Sequence, residues 1–98
     1  MKSLRDIKKI IASHKNELKN RFNVSRIGLF GSYVRGDNTR KSDLDVYVEF
    51  SKPIGWEIVD LHEYLKSLVN IKIDLATKGA VAKKKTLWKS IQEDLVNV

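Results

Sequence analysis

The chain is expected to fold as an α/β (α+β) domain, a small mixed β-sheet with helices packed on it. Three observations predict this. Apolar residues recur at helical spacing in three long stretches, and they form short β-rich or alternating runs in three others. The two kinds of segment take turns along the chain in the order α, β, short α, β, α, β, α. The second and third strands are joined through a helix, and such a unit is a right-handed parallel crossover, so those two strands should run side by side in one direction.

Each element has its own signal. Ser3 followed by Asp6 resembles a capping box, and Leu4, Ile7, Ile11 and Leu18 then repeat at helical spacing with Lys8, Lys15 and Lys19 outward, which predicts a helix over residues 4–21. VSRIGLF, residues 24–30, is β-rich and stops at Gly31, and a short helical turn should cover residues 32–36. Residues 43–50 alternate, with Leu44, Val46, Val48 and Phe50 on one face and Asp43, Asp45, Tyr47 and Glu49 on the other. That pattern predicts a half-buried strand with an acidic face. After the Pro53 turn, Ile58, Leu61, Leu65 and Leu68 mark a helix over residues 55–69, with Glu57, Asp60 and Glu63 outward. IKIDL, residues 71–75, reads as a third strand with Ile71, Ile73 and Leu75 on one face and Asp74 on the other. Leu87, Trp88, Ile91 and Leu95 predict a closing helix over residues 81–94, opened by the lysines at 83–85.

Composition excludes several classes of function. Ninety-eight residues, without repeat, linker or low-complexity tract, are expected to form a single domain spanning residues 1–98, too small for a separate substrate-binding lobe. No run approaches the roughly 18 to 20 apolar residues that span a bilayer, and the charged start MKSLRDIKKI does not resemble a signal peptide, so a cytoplasmic chain without a membrane partner is expected. Without cysteine there is no disulfide framework or thiolate site, and two histidines, His14 and His62, are too few for a zinc cage. Nineteen Lys and Arg against twelve Asp and Glu leave a net charge of +7. Such a surface favours anionic partners, although a lysine-rich surface also serves solubility.

The chemistry concentrates in GSYVRGDNTRKSDLDVYV, residues 31–48. Asp43 and Asp45, two apart on a strand, point to one side, roughly 7 Å apart, close enough to share or bridge hard cations. With the third strand parallel beside the second, Asp74 projects from the same sheet face and completes a cluster of three carboxylates. Their mutual repulsion is costly unless divalent cations compensate it. Oxygen ligands without His or Cys indicate Mg²⁺ or Mn²⁺ rather than zinc. Gly31 and Ser32 lie between a strand and a helical turn, where free N–H groups and the positive helix end suit a phosphate. Arg35, one turn on, has a guanidinium fork that suits either phosphate oxygens or a salt bridge to Asp37 or to the acidic cluster. A phosphate cradle followed by a metal-binding acid pair makes the parts of a metal-assisted phosphoryl or nucleotidyl transfer site.

Gly31-Ser32, ten intervening residues, Asp43-x-Asp45 and the later strand Asp74 together resemble the DNA polymerase β-like nucleotidyltransferase superfamily. The short chain, with Arg35-Gly36-Asp37 inside the motif, looks like the minimal nucleotidyltransferases, including the MntA-type antitoxins of HEPN/MNT toxin–antitoxin pairs, and the likeness covers nearly the whole chain. This resemblance implies the polymerase β-like nucleotidyltransferase core. It also implies that Asp43 and Asp45 hold two Mg²⁺ ions bridging the phosphates of ATP, that Asp74 helps hold the catalytic metal and activate the attacking hydroxyl, and that Gly31 and Ser32 bind the triphosphate. The implied reaction is transfer of AMP from ATP to a hydroxyl, a tyrosine of a HEPN ribonuclease toxin, which the modification silences.

Three rival readings stand beside this one. A non-catalytic antitoxin could mask its toxin sterically, which the intact acids argue against. A transferase for a small molecule normally carries an added acceptor domain. An RNA-end transferase would draw on the positive charge but lacks an RNA-gripping segment, so nucleic acid is not expected as the direct substrate. Among the remaining side chains, Trp56 and Trp88 are expected to pack the domain, His62 to sit at the core edge and His14 on the surface. Tyr33 and Tyr47 could either touch a nucleotide or pack, and Lys78 is expected to be a solvated loop lysine.

Overall fold

The structure is a computed structural model that describes residues 2–98. Its sheet has four strands, β1 (Val24–Phe30), β2 (Leu44–Phe50), β3 (Ile73–Thr77) and β4 (Val96–Asn97), in the order β3-β2-β1-β4. β1 runs antiparallel to both β2 and β4, whereas β2 and β3 are parallel, as the crossover rule requires. The helices are α1 (Leu4–Ser13), α2 (Lys15–Phe22), α3 (Ser32–Arg35), α4 (Glu57–Val69), α5 (Lys78–Val81) and α6 (Lys85–Asp94).

One face of the sheet carries the main core. Ile27 and Leu29 of β1 and Leu44, Val46 and Val48 of β2 meet Ile7 and Ile11 of α1, Leu18 and Phe22 of α2, and Leu61, Leu65 and Val69 of α4. Every second strand residue points the other way, and there α5 and α6 cover a smaller cluster of Tyr47, Val81 and Ile91, with Trp88 packed against it. The predicted acidic face of β2 is therefore not open along its whole length. Tyr47 is fully buried under α5 and α6, its ring centroid 5.1 Å from that of Trp88.

Several boundaries differ from the sequence reading. The first helix breaks at His14, which has φ −112° and ψ 13°. Ser13 Oγ donates to the Ile10 carbonyl at 2.7 Å and His14 Nδ1 lies 2.8 Å from the same oxygen, so side chains take over an acceptor that a continuous helix would have used. The third strand begins at Ile73, two residues later than expected, because Lys72 is still in the incoming loop and gives its carbonyl to Leu44 N–H at 2.8 Å. The closing helix is two helices, α5 being capped by the Thr77 side chain, and the last residues add strand β4, which has no sequence signal at two residues long. Trp56 does not pack the domain. It precedes α4 with 89% of its surface exposed, because the α4 stripe that meets the sheet begins at Leu61. The Ser3 cap is present, accepting from Asp6 N–H at 3.1 Å.

Candidate active site

β1 ends at Phe30, which pairs with Asp45 across the antiparallel ladder, and the chain then turns sharply into α3. Gly31 makes that turn at φ 79° and ψ −153°, a conformation essentially reserved for glycine. Its missing side chain matters as much as its backbone. A Cβ there would run into Oδ2 of Asp45, so the turn and the carboxylate interlock. The N–H groups of Ser32 and Tyr33 have no acceptor within so short a helix, whereas those of Val34 and Arg35 bond the Gly31 carbonyl, and the Ser32 hydroxyl is half-buried.

The parallel pairing of β2 with β3 sets Asp45 directly beside Asp74. The two carboxyls are within hydrogen-bonding reach of each other, and Asp45 is pushed up to about 6. Burial is the largest cause, followed by the charge of Asp74, the hydrogen bond to it, and the charge of Asp43; Arg35 opposes the shift. Asp43 lies one residue before β2, half-buried, and acts on Asp45 through its charge. The structure thus brings Gly31, Asp45 and Asp74 into one knot, with Asp43 and Ser32 beside it.

The donor set fits a hard cation. Among the described residues no three acidic or imidazole groups converge as a ready-made cage, and an Mg²⁺ site needs none. Mg²⁺ takes one or two carboxylates and completes its shell with water and substrate phosphate oxygens. Two repelling carboxyls side by side, one of them raised by burial and by its neighbours, gain most from binding a divalent ion.

Arg35 lies near this knot but is engaged elsewhere. Its Nη1 donates to Asp94 at 2.8 Å and its Nε to Asp37 at 3.2 Å, and these two bonds raise its already high pKa further. The salt bridge to Asp37 is one of the two roles the sequence left open for Arg35. Asp94, at the end of α6, was invisible in the sequence, since only the tertiary return of α6 brings it within reach.

The remaining candidates fall into a second polar group on the same sheet face. Tyr47 donates to Glu49 at 2.9 Å, Arg26 Nη1 donates to the same oxygen at 3.1 Å, and Lys78 stands 4.0 Å from the other oxygen. Burial pushes the Tyr47 phenol up to about 12, with the Glu49 hydrogen bond adding to it. Tyr47 is therefore a packing residue. Burial works to raise the Glu49 carboxyl, but the bonds from Tyr47 and Arg26 outweigh it and hold the group below its ordinary value. His62 sits at the core edge as expected, its Nε2 2.8 Å from the Ile73 carbonyl.

Comparison with known proteins identifies the family of the chain. The model of the nucleotidyltransferase domain family matches residues 11–97. A proposed protein adenylyltransferase of Methanocaldococcus jannaschii is 44% identical over 99 residues, with 100% of both chains covered. The protein adenylyltransferase MntA of Thermococcus cleftensis is 38% identical over 99 residues, covering 100% of this chain and 98% of the relative. Among solved structures, a chain of a toxin–antitoxin complex with AMP-PNP superposes with a TM-score of 0.71 at 22% identity, over 94% of this chain and 71% of the other, which shows a shared fold. With a family match over nearly its whole length and relatives this close, the chain belongs to the nucleotidyltransferase domain family.

Proposed function

We propose that the protein is an Mg²⁺-dependent protein adenylyltransferase that moves AMP from ATP to a hydroxyl, a tyrosine on a HEPN-type ribonuclease toxin, and so acts as its antitoxin in the cytoplasm. The observation that carries the reading is the Asp45–Asp74 pair held against Gly31, with a carboxyl raised to about 6. The protein adenylyltransferase MntA relative and the toxin–antitoxin complex with AMP-PNP support the choice of ATP and of a toxin. No helix among the described residues is long and apolar enough to cross a membrane.

In this reading Asp43, Asp45 and Asp74 would hold two Mg²⁺ ions, with Mn²⁺ as a substitute. The ions would supply charge neutralisation at the phosphates and acidify the attacking hydroxyl. The residues of the chain have separate tasks. Gly31 lets the phosphates approach the backbone, and the N–H groups and hydroxyl at Ser32 orient them. Asp74 is exposed, so it can receive the proton of an incoming acceptor hydroxyl. Arg35 can add a fork to a phosphate oxygen once it leaves Asp94 or Asp37.

The test is intact-mass spectrometry of a candidate toxin incubated with the protein and Mg-ATP. Each transfer should add about 329 Da, an AMP group less water, and the toxin should stay silent after separation. A toxin that is inhibited only while bound, with unchanged mass, would make the chain a masking module.

A further inference from the structure

A groove of about 770 Å³ opens beside Asp43. Its walls come from four places: the N-terminal segment running into α1, Tyr33 of α3, the loop of residues 36–43 between α3 and β2, and the loop of residues 70–72 between α4 and β3. Lys2, Arg40, Lys41 and Lys72 line it, against two acids, Asp6 and Asp43 itself. Other basic groups near the sheet, Arg26, Arg35 and Lys78, are tied to Glu49, Asp37 or Asp94. These four make no ion pair among the described residues.

Two of the cations are presented by an ordered turn. Thr39 N–H donates to Ser42 Oγ at 2.8 Å, Ser42 N–H returns to the Thr39 carbonyl at 3.1 Å, and Lys41 N–H donates to Thr39 Oγ1 at 3.2 Å. Lys72 is anchored by its carbonyl on Leu44 N–H at 2.8 Å. The backbone that presents Arg40, Lys41 and Lys72 is thus ordered, which lowers part of the ordering cost of binding. Its only aromatic side chain, Tyr33, is 6% exposed and offers no face on which a base could stack. An unpaired positive groove without a stacking platform suits carboxylates better than single-stranded nucleic acid.

We propose that this groove docks an acidic segment of the acceptor protein, next to the hydroxyl that is modified, so that Arg40, Lys41, Lys72 and Lys2 set acceptor specificity. The proposal rests on the reading of the chain as a protein adenylyltransferase and names the substrate class that reading leaves open. A segment rich in Asp or Glu lying there would bring its hydroxyl to the Asp43 edge of the acidic knot. It would also neutralise charge that the chain otherwise leaves unbalanced.

The test has a binding arm and a transfer arm. The binding probe is a fluorescent nonapeptide with four Glu on each side of one Tyr, read by anisotropy in low salt, with a ten-nucleotide oligo(rA) as competitor. The wild type should bind the peptide, and Arg40→Glu combined with Lys72→Glu should weaken it at least about tenfold, with affinity falling as salt rises. In transfer to the acceptor protein, the same variant should raise the acceptor KM by a similar factor, leaving kcat and the KM for ATP within about twofold. A peptide affinity that ignores the charge reversal, or oligo(rA) binding more tightly through the same cations, would overturn the proposal. So would an equal loss of ATP affinity, which would assign the groove to the nucleotide. Peptide binding that follows the four cations, in a protein that adenylylates nothing, would sink the enzyme reading and leave the groove standing.

Discussion

Oδ2 of Asp45 fills the space that a side chain on Gly31 would need. The turn that presents backbone N–H groups and the carboxylate that faces them are therefore parts of one fitted unit. Gly31→Ala should cost about 3 kcal/mol in urea unfolding, from a forbidden backbone region and a direct clash together, and should abolish AMP transfer. Gly36 gives the contrast. It also has positive φ, 84°, but a Cβ there meets nothing within 4 Å. Gly36→Ala should cost about 1 kcal/mol and retain transfer.

The raised Asp45 carboxyl makes stability depend on pH. Its folded pKa lies above its ordinary 3.8, so the folded state binds the proton more tightly than the unfolded state does. Stability in EDTA should fall as pH rises from about 4 through about 6, by about 1 kcal/mol after allowance for screening of a half-exposed group. Asp45→Asn should flatten that slope in thermal melts and raise the melting temperature at pH 7 by about 4 °C. Transfer should be lost. A slope of equal size in Asp45→Asn would place the titrating group elsewhere.

Asp74 differs from Asp45 in exposure and should differ in effect. Asp74→Ala should lower kcat for AMP transfer by about 10² to 10⁴-fold, the usual contribution of a positioned base. Mg-ATP should still raise the melting temperature of the variant, because the glycine turn, Asp43 and Asp45 remain. Loss of that thermal shift together with transfer would limit Asp74 to holding the cation.

The ion pairs of Arg35 are exposed and worth little to the fold. Arg35→Ala should leave the urea midpoint almost unchanged while raising the KM for ATP about tenfold. Asp94→Asn, which releases one side of the guanidinium, should leave that KM unchanged or lower it. An unaltered KM in Arg35→Ala would make the residue a surface tether between α3 and α6.

The two tryptophans should separate sharply. Trp88 stacks beside buried Tyr47, and Trp88→Ala should cost about 3 kcal/mol. Trp56, with 89% of its surface exposed, should tolerate Ala within about 0.5 kcal/mol.

Periodicity in the sequence located the three longer strands, two of which position the acids, the parallel sense of β2 and β3, and the Gly31 turn. These follow from local pattern and from the chirality of the crossover. The break at His14 was hidden because side-chain capture of the Ile10 carbonyl leaves the apolar spacing intact on both sides. Trp56 was misjudged because residue type alone does not say where along a helix the buried stripe begins. Tyr47 was one of two options until α6 was seen to close over it. The Arg35–Asp94 bond and the groove beside Asp43 arise from residues far apart in sequence, which carry no shared local signal.

The pairing of Asp45 with Asp74 also has a meaning for the order of folding events. The two residues belong to strands separated by the whole of α4. The acid pair therefore cannot exist until a long loop has closed, the slow kind of step in a small domain. It sets like charges side by side in a contact between residues far apart in sequence, so the register is adopted against their repulsion and for the sake of the core beneath. A refolding chain should hold no competent site at any partly folded stage.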